Sequence, residues 1–206
     1  LVWIGQRSTV GYLDRARPLL AAIAERLADV RLRVVSDVFP TDCGIEVEPR
    51  VWSRAGESAE LATADIGVAW LPDDDWSRGK CGLKVLQYMA AGLPVISSPV
   101  GVHREMIIDG ENGFLVTSPR EWADRVEQLA RRPELRREMG RKARRTVEER
   151  RHQGSLVVVE KPTVHPFSMP GGRRGRVAAR GRVGAVLRHA VDAGLRAVRL
   201  ARADAA

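Results

Sequence analysis

Short apolar runs alternate with stretches of helical periodicity along the first 150 positions of this 206-residue chain. The run LVWIG at 1–5 predicts a strand ended by Gly5. RSTVGYLDR leads from it to a helix over 17–28, whose Leu19, Leu20, Ile23 and Leu27 share one stripe. RLRVVS at 31–36 and the alternating IEVEPRVW at 45–52 predict two further strands, and a short, weak helix follows over 57–63. IGVAWLP at 66–72 is a nearly continuous apolar run, of the kind buried on both faces of a parallel sheet. An acidic turn, DDDW, then passes through GKCG into a helix over 83–91 with Leu83, Leu86, Met89 and Ala90 as its apolar positions. Gly92 ends that helix and Pro94 starts the strand PVISS at 94–98.

The rhythm continues to residue 150. A short helix is expected over 102–108, a turn at Gly110 and Asn112-Gly113, and a short strand at 113–116. Pro119 opens a helix over 120–130, and Pro133 a charged helix over 133–150 with Leu135, Met139 and Ala143 on one narrow face. Strands that alternate with helices in this order predict an α/β fold, Rossmann-like and doubly wound, with a mostly parallel sheet. A ligand is expected at the C-terminal ends of the strands.

Charge divides the chain at the same point. Residues 1–150 hold 23 Lys/Arg against 23 Asp/Glu, whereas residues 151–206 hold 11 against 3, so the net charge of +8 resides in the tail. The part that is rich enough in apolar residues to fold has no excess charge with which to follow a phosphate backbone, which argues against a nucleic-acid-binding domain. Residues 151–184 are rich in Gly, Arg and Pro and are expected to be a disordered linker. Residues 185–206 admit two readings, a tail without structure or a basic amphipathic helix for peripheral contact with a membrane or a partner.

Two cysteines, Cys43 and Cys81, provide no disulfide framework, and the four histidines never fall at metal-ligand spacing. No run approaches 18 apolar residues and no leader precedes an apolar stretch, which suggests a cytoplasmic location, the inner face of the membrane remaining open. The chain starts with Leu1 already inside an apolar run, and it reads as a fragment.

The candidate chemistry lies in 79–116. A loop bordered by Gly79 and Gly82 runs into the first turn of a buried helix, leaving backbone N–H groups and the positive end of the helix dipole available to an anion, with Lys80 and Lys84 adding charge. The alternative is a tight turn with solvated lysines. Gln87 either offers its amide to a sugar hydroxyl or satisfies buried backbone. His103 is read as a solvated loop residue or a ligand contact, Glu105 as able to approach the same site, and the triplet Asp73, Asp74, Asp75 as solvated rather than metal-binding.

The run K-x-L-x-Y-M-A-x-G-L-P-V-I from Lys84 and E-x-x-x-D-G-x-N-G-F-L-V from Glu105 resemble the donor-binding, C-terminal domain of a GT-B glycosyltransferase of the retaining family 4. The opening W-I-G-x-x-S-T and the final P-E-L-R-R-x-M-G are similar to members of this family as well, so that the resemblance covers residues 1–150. It implies a nucleoside-diphosphate sugar as donor substrate, no metal and no other cofactor. It also implies donor contacts from Gly5, Arg7, Gly79, Lys80, Gly82, Leu83, Lys84 and Gln87. The family usually carries two glutamates with seven residues between them where this chain has Gly79 and Gln87. Gln87 retains hydrogen bonding to the ribose but no charge, and Gly79 offers no side chain to the transferred sugar.

These residues suggest the donor half of a glycosyltransferase, inactive without an N-terminal acceptor domain. A non-catalytic nucleotide-binding or regulatory domain, and a protein acting through its basic tail, are the alternatives. The catalytic residues, the acceptor and the base of the nucleotide are not readable from the sequence.

Overall fold

The computed structural model describes residues 1–152; the expectations for a linker and a basic helix after that point lie outside the described residues. The elements follow one another as β1 (Val2–Ile4), α1 (Arg7–Arg15), α2 (Arg17–Arg26), β2 (Leu32–Ser36), β3 (Val47–Val51), α3 (Glu57–Ala62), β4 (Gly67–Ala69), α4 (Asp75–Arg78), α5 (Leu83–Ala90), β5 (Val95–Ser97), α6 (His103–Met106), β6 (Gly113–Leu115), α7 (Pro119–Arg131) and α8 (Pro133–His152). The six strands form one sheet in the order β3-β2-β1-β4-β5-β6, and every pairing is parallel. This is the doubly wound order in which the direction of winding reverses between β1 and β4.

The pleat distributes the strand residues between two cores. Val2 and Ile4 point into one cluster with Val35, Ala69 and Val95, covered by α5 and α8 through Val85, Tyr88, Met89, Ala143 and Val147. Trp3 points the other way with Val34, Val68 and Ile96, against Leu13, Leu20, Ile23, Trp122, Val126 and Leu129 of α1, α2 and α7. Central strands buried on both faces account for the continuous apolar runs in the sequence. β3 lies at the sheet's edge with Pro49, Arg50 and Val51 exposed, a position where the missing N–H of proline removes no essential ladder bond.

Two expectations change. RSTVGYLDR is not a lead-in but helix α1 itself, begun where the Gln6 N–H donates to Thr9 Oγ1 at 3.1 Å. The acidic turn contains a helical turn, α4, because Asp74 caps it by accepting from Ser77 N–H at 2.8 Å. Among the described residues no helix is long and apolar enough to cross a membrane.

Candidate functional site

The reversal of winding places the ends of β1 and β4 side by side, with α1 leaving one and α4 and α5 following the other. Gly5 ends β1 and its N–H donates to the Val35 carbonyl at 3.0 Å. Across the crevice, α5 starts at Leu83 after Gly82, which has φ of +66° and no side chain with which to cap the helix. A Cβ on Gly82 would come within 2.8 Å of Met106 Sδ and 2.9 Å of Val102, so both the turn and its packing require glycine. Leu83 is half-buried against the core, and the first turn of α5 has no side-chain cap.

Lys84 is the central charge of this crevice. Its Nζ lies 3.8 Å from the centroid of the Trp3 ring and donates to Thr9 Oγ1 at 3.4 Å, which ties α5 to β1 and α1. No carboxylate pairs with it among the described residues. Burial, and then the nearby Lys80 ammonium, push its pKa down to about 7. Lys80 itself lies over aromatic rings, 4.8 Å from the centroid of Tyr12 and 5.8 Å from that of Trp76. A desolvated cation beside an uncapped helix start can accept an anion with more than one negative charge.

His103 is not the solvated residue that was one of the two expectations for it. It is 3% exposed, with Nδ1 at 2.7 Å from Ser97 Oγ and 3.4 Å from the Ser98 carbonyl. Burial and the Lys84 charge drive its pKa to about 4, and the ring is neutral at pH 7. The short helix expected over 102–108 is α6, and it turns His103 inward onto Ser97 at the end of β5.

The other predicted residues divide. Arg7 begins α1 at the surface, where its N–H donates to Asp37 Oδ1 at 2.9 Å and its Nε is 3.8 Å from Asp37 Oδ2. Gly79 ends α4 with an ordinary φ of −81°, and a Cβ there would meet nothing closer than 3.6 Å. Its lack of a side chain is therefore not imposed by the backbone. Gln87 is buried, and its Nε2 donates to Glu57 Oε1 at 2.6 Å rather than to backbone. Asp73 and Asp75 lie at the surface beside Arg78, and no group of three or more His, Cys, Asp or Glu among the described residues is placed to hold a metal ion. Sequence reasoning missed Thr9 and Glu57, whose contacts with Lys84 and Gln87 of α5 depend on strand order and leave no mark in local spacing.

Comparison with known proteins agrees with this architecture. The family model described as Glycosyl transferases group 1 matches residues 1–132. EpsD of Bacillus subtilis (strain 168), a protein to which glycosyltransferase activity is attributed, is 46% identical over 88 residues, which are 42% of this chain and 22% of that protein. Trehalose synthase of Pyrococcus horikoshii is 44% identical over 66 residues, 32% of this chain and 16% of that protein. The chain thus spans about a fifth of the length of these curated relatives. Among solved structures, the C-terminal domain of a glycosyl transferase group 1 family protein, LpcC of Francisella tularensis, superposes with a TM-score of 0.57 at 20% identity, covering 73% of this chain and 85% of that one. HepE of Anabaena, solved in complex with UDP-glucose, gives 0.52 at 18% identity over 72% of this chain and 44% of that one. At such identities the likeness is one of fold.

Proposed function

Because the chain belongs to the family Glycosyl transferases group 1, we propose that residues 1–150 are the donor-binding half of a cytoplasmic glycosyltransferase. The domain takes a nucleoside-diphosphate sugar, whose sugar is transferred to an acceptor hydroxyl presented by a separate acceptor domain. The observation that carries this reading is Lys84, desolvated and without a carboxylate partner among the described residues, at the uncapped start of α5, where winding reverses. In it the diphosphate lies between the Lys84 ammonium, the first N–H groups of α5 and the β1–α1 turn at Gly5, with Lys80 at its rim. As the acceptor oxygen attacks the anomeric carbon and the bond to the diphosphate breaks, negative charge grows on the leaving phosphate. Fixed positive groups that face it there lower the barrier. HepE in complex with UDP-glucose supports a nucleotide-sugar donor through the shared fold.

Titration calorimetry of the chain with UDP, UDP-glucose, GDP and GDP-mannose tests this reading. Saturable binding of at least one, weakened about tenfold or more by the substitution Lys84→Met, is the expected result. Failure of all four to bind, at concentrations up to several millimolar, overturns it.

Gly79 and Gln87 favour a second reading, a domain that binds the nucleotide without transferring a sugar. Position 79 has room for a side chain and lacks one, and the Gln87 amide is engaged with Glu57. A complete protein containing this chain that binds a nucleotide sugar yet neither transfers nor hydrolyses it would support the non-catalytic role. Turnover would exclude it.

A further inference from the structure

We infer that Tyr88 is a positioning residue of the crevice: its phenol oxygen stands where a β4 carbonyl would pair with β1, which holds the strand ends apart and lets Lys84 reach across them. The inference rests on the donor reading above, since it concerns how Lys84 comes to face a diphosphate.

The sheet opens at one place. β1 is in register with β2 at Val2, Trp3 and Ile4, and β4 with β5 at Gly67, Val68 and Ala69, whereas β1 and β4 meet at Val2 and Gly67 alone. The Val2 N–H donates to the Ile66 carbonyl at 2.8 Å. In a parallel ladder every second residue turns its N–H to the same neighbour, so Ile4 would next pair with the Val68 carbonyl. It donates to Tyr88 Oη at 2.9 Å instead. A buried backbone N–H requires a partner, and here an oxygen from α5 supplies it without closing the gap. Gly67 makes room for this. Its backbone is ordinary strand rather than left-handed, yet a Cβ there would fall 2.4 Å from Tyr88 Cγ. The ring therefore packs directly on β4 while its oxygen reaches β1.

Lys84 stands one turn before Tyr88 on α5. α5 covers one face of the sheet with Val85, Tyr88 and Met89, but the Trp3 ring belongs to the core on the opposite face. Lys84 Nζ nonetheless lies against that ring and bonds Thr9 of α1, so its side chain passes from one layer to the other at the open ends of β1 and β4. The indole on which it rests is folded over Gly5, where a Cβ would fall 2.1 Å from the ring. α5 is thus fastened to two consecutive residues of β1, Trp3 through Lys84 and Ile4 through Tyr88. Without the phenol oxygen the Ile4 N–H is left to the β4 backbone, the strand ends draw together, and the ammonium withdraws into solvent. The titratable groups that act on Lys84 are Lys80, whose ammonium lowers its pKa, and His103, which is neutral at pH 7.

Titration of the lysine Cε resonances of the free chain by nuclear magnetic resonance tests the role of Tyr88 without a ligand. The Lys84 midpoint, about 7 in the wild type, should move up towards 10.5 in Tyr88→Phe, which keeps the ring on Gly67 and removes only the oxygen. Gly67→Ala, whose Cβ displaces the ring, should act in the same direction, and it is read in place of Tyr88→Phe if that variant does not melt cooperatively. Calorimetry with UDP and GDP supplies a second readout. Tyr88→Phe should weaken binding about tenfold and lose proton uptake at pH 8.5, and the double variant Lys84→Met/Tyr88→Phe should bind no more weakly than Lys84→Met. A Lys84 midpoint that is the same in the wild type and a folded variant, or a binding loss that adds in full to that of Lys84→Met, overturns the inference. A wild-type chain that binds neither nucleotide overturns the donor reading alone, and the midpoint then decides the role of Tyr88.

Discussion

The ammonium of Lys84 rests 3.8 Å from the centroid of the Trp3 ring, so that a residue of helix α5 lies against a residue of strand β1 that is eighty-one positions earlier in the chain. The indole face stabilises the cation without neutralising it. The charge therefore stays available for an incoming anion, in a setting dry enough to weaken its hold on its proton.

That setting predicts proton uptake on ligand binding. The free Lys84 has a pKa near 7 and is largely neutral at pH 8.5, whereas a bound diphosphate favours the ammonium. Affinity for UDP or GDP should fall as pH rises from 7 to 9, by up to about tenfold per unit. Calorimetry at pH 8.5 in buffers of different ionisation enthalpy should report uptake of close to one proton. Lys84→Met should remove both effects and weaken binding by about 1.5–3 kcal/mol. In the free chain the sign is opposite. The unfolded state holds the lysine proton up to pH 10.5, so this residue makes folding more favourable as pH rises from 7 towards that value.

His103 predicts sensitivity to acid. Its pKa is about 4 in the folded chain against 6.5 in the unfolded one, so below pH 6.5 the unfolded state binds the extra proton and stability falls. The loss from this residue between pH 7 and pH 4 is on the order of 3 kcal/mol. Denaturant unfolding of the wild type and of His103→Asn across that range should show the difference between them shrinking as pH falls. A constant difference would rule out a neutral, buried imidazole.

Gly140 sets two principles against each other. It lies within α8, where Gly→Ala ordinarily gains up to about 1 kcal/mol. A Cβ there, however, would fall 2.0 Å from the carbonyl oxygen of Gly92, in the turn between α5 and β5. Backbone cannot rotate away as a side chain can, and overpacking of this kind costs about 1–3 kcal/mol. Gly140→Ala should therefore lower the melting temperature, by several degrees.

Removal of residues 153–206 should leave nucleotide affinity and melting temperature unchanged, since the two cores and the crevice are built from residues before that point. The measurement compares calorimetric titrations and thermal melts of the two chains. A loss of binding on truncation would assign the basic tail a part in the donor site.

Most of the architecture was legible because it is written in local patterns. Apolar runs at 66–72 and 94–98 mark strands buried on both faces, and Gly82, Gly92 and Pro119 punctuate helices through backbone restrictions that act within a few residues. The start of α1 was not legible, because its opening bond joins the Gln6 N–H to Thr9 Oγ1, and glutamine is a weak helix-start signal. His103 was misjudged for a related reason. A polar residue in a short helix reads as solvated until its hydrogen-bond partner, the Ser97 hydroxyl, is known to lie beside it.

The sequence by itself determined a doubly wound α/β domain and the lysine-bearing glycine loop, since strand periodicity and turn chemistry act over short distances. Only the tertiary structure decided which side chains surround that loop. Trp3, Thr9, Glu57 and Lys84 are dispersed over four-fifths of the first hundred residues, and they converge because parallel pairing aligns the ends of β1, β3 and β4 along one edge. That convergence desolvates Lys84, and it sets Glu57 against Gln87, placing a carboxylate on helix α3 beside an amide on α5. Burial and charge proximity depend on distances in space, which spacing along the chain does not record.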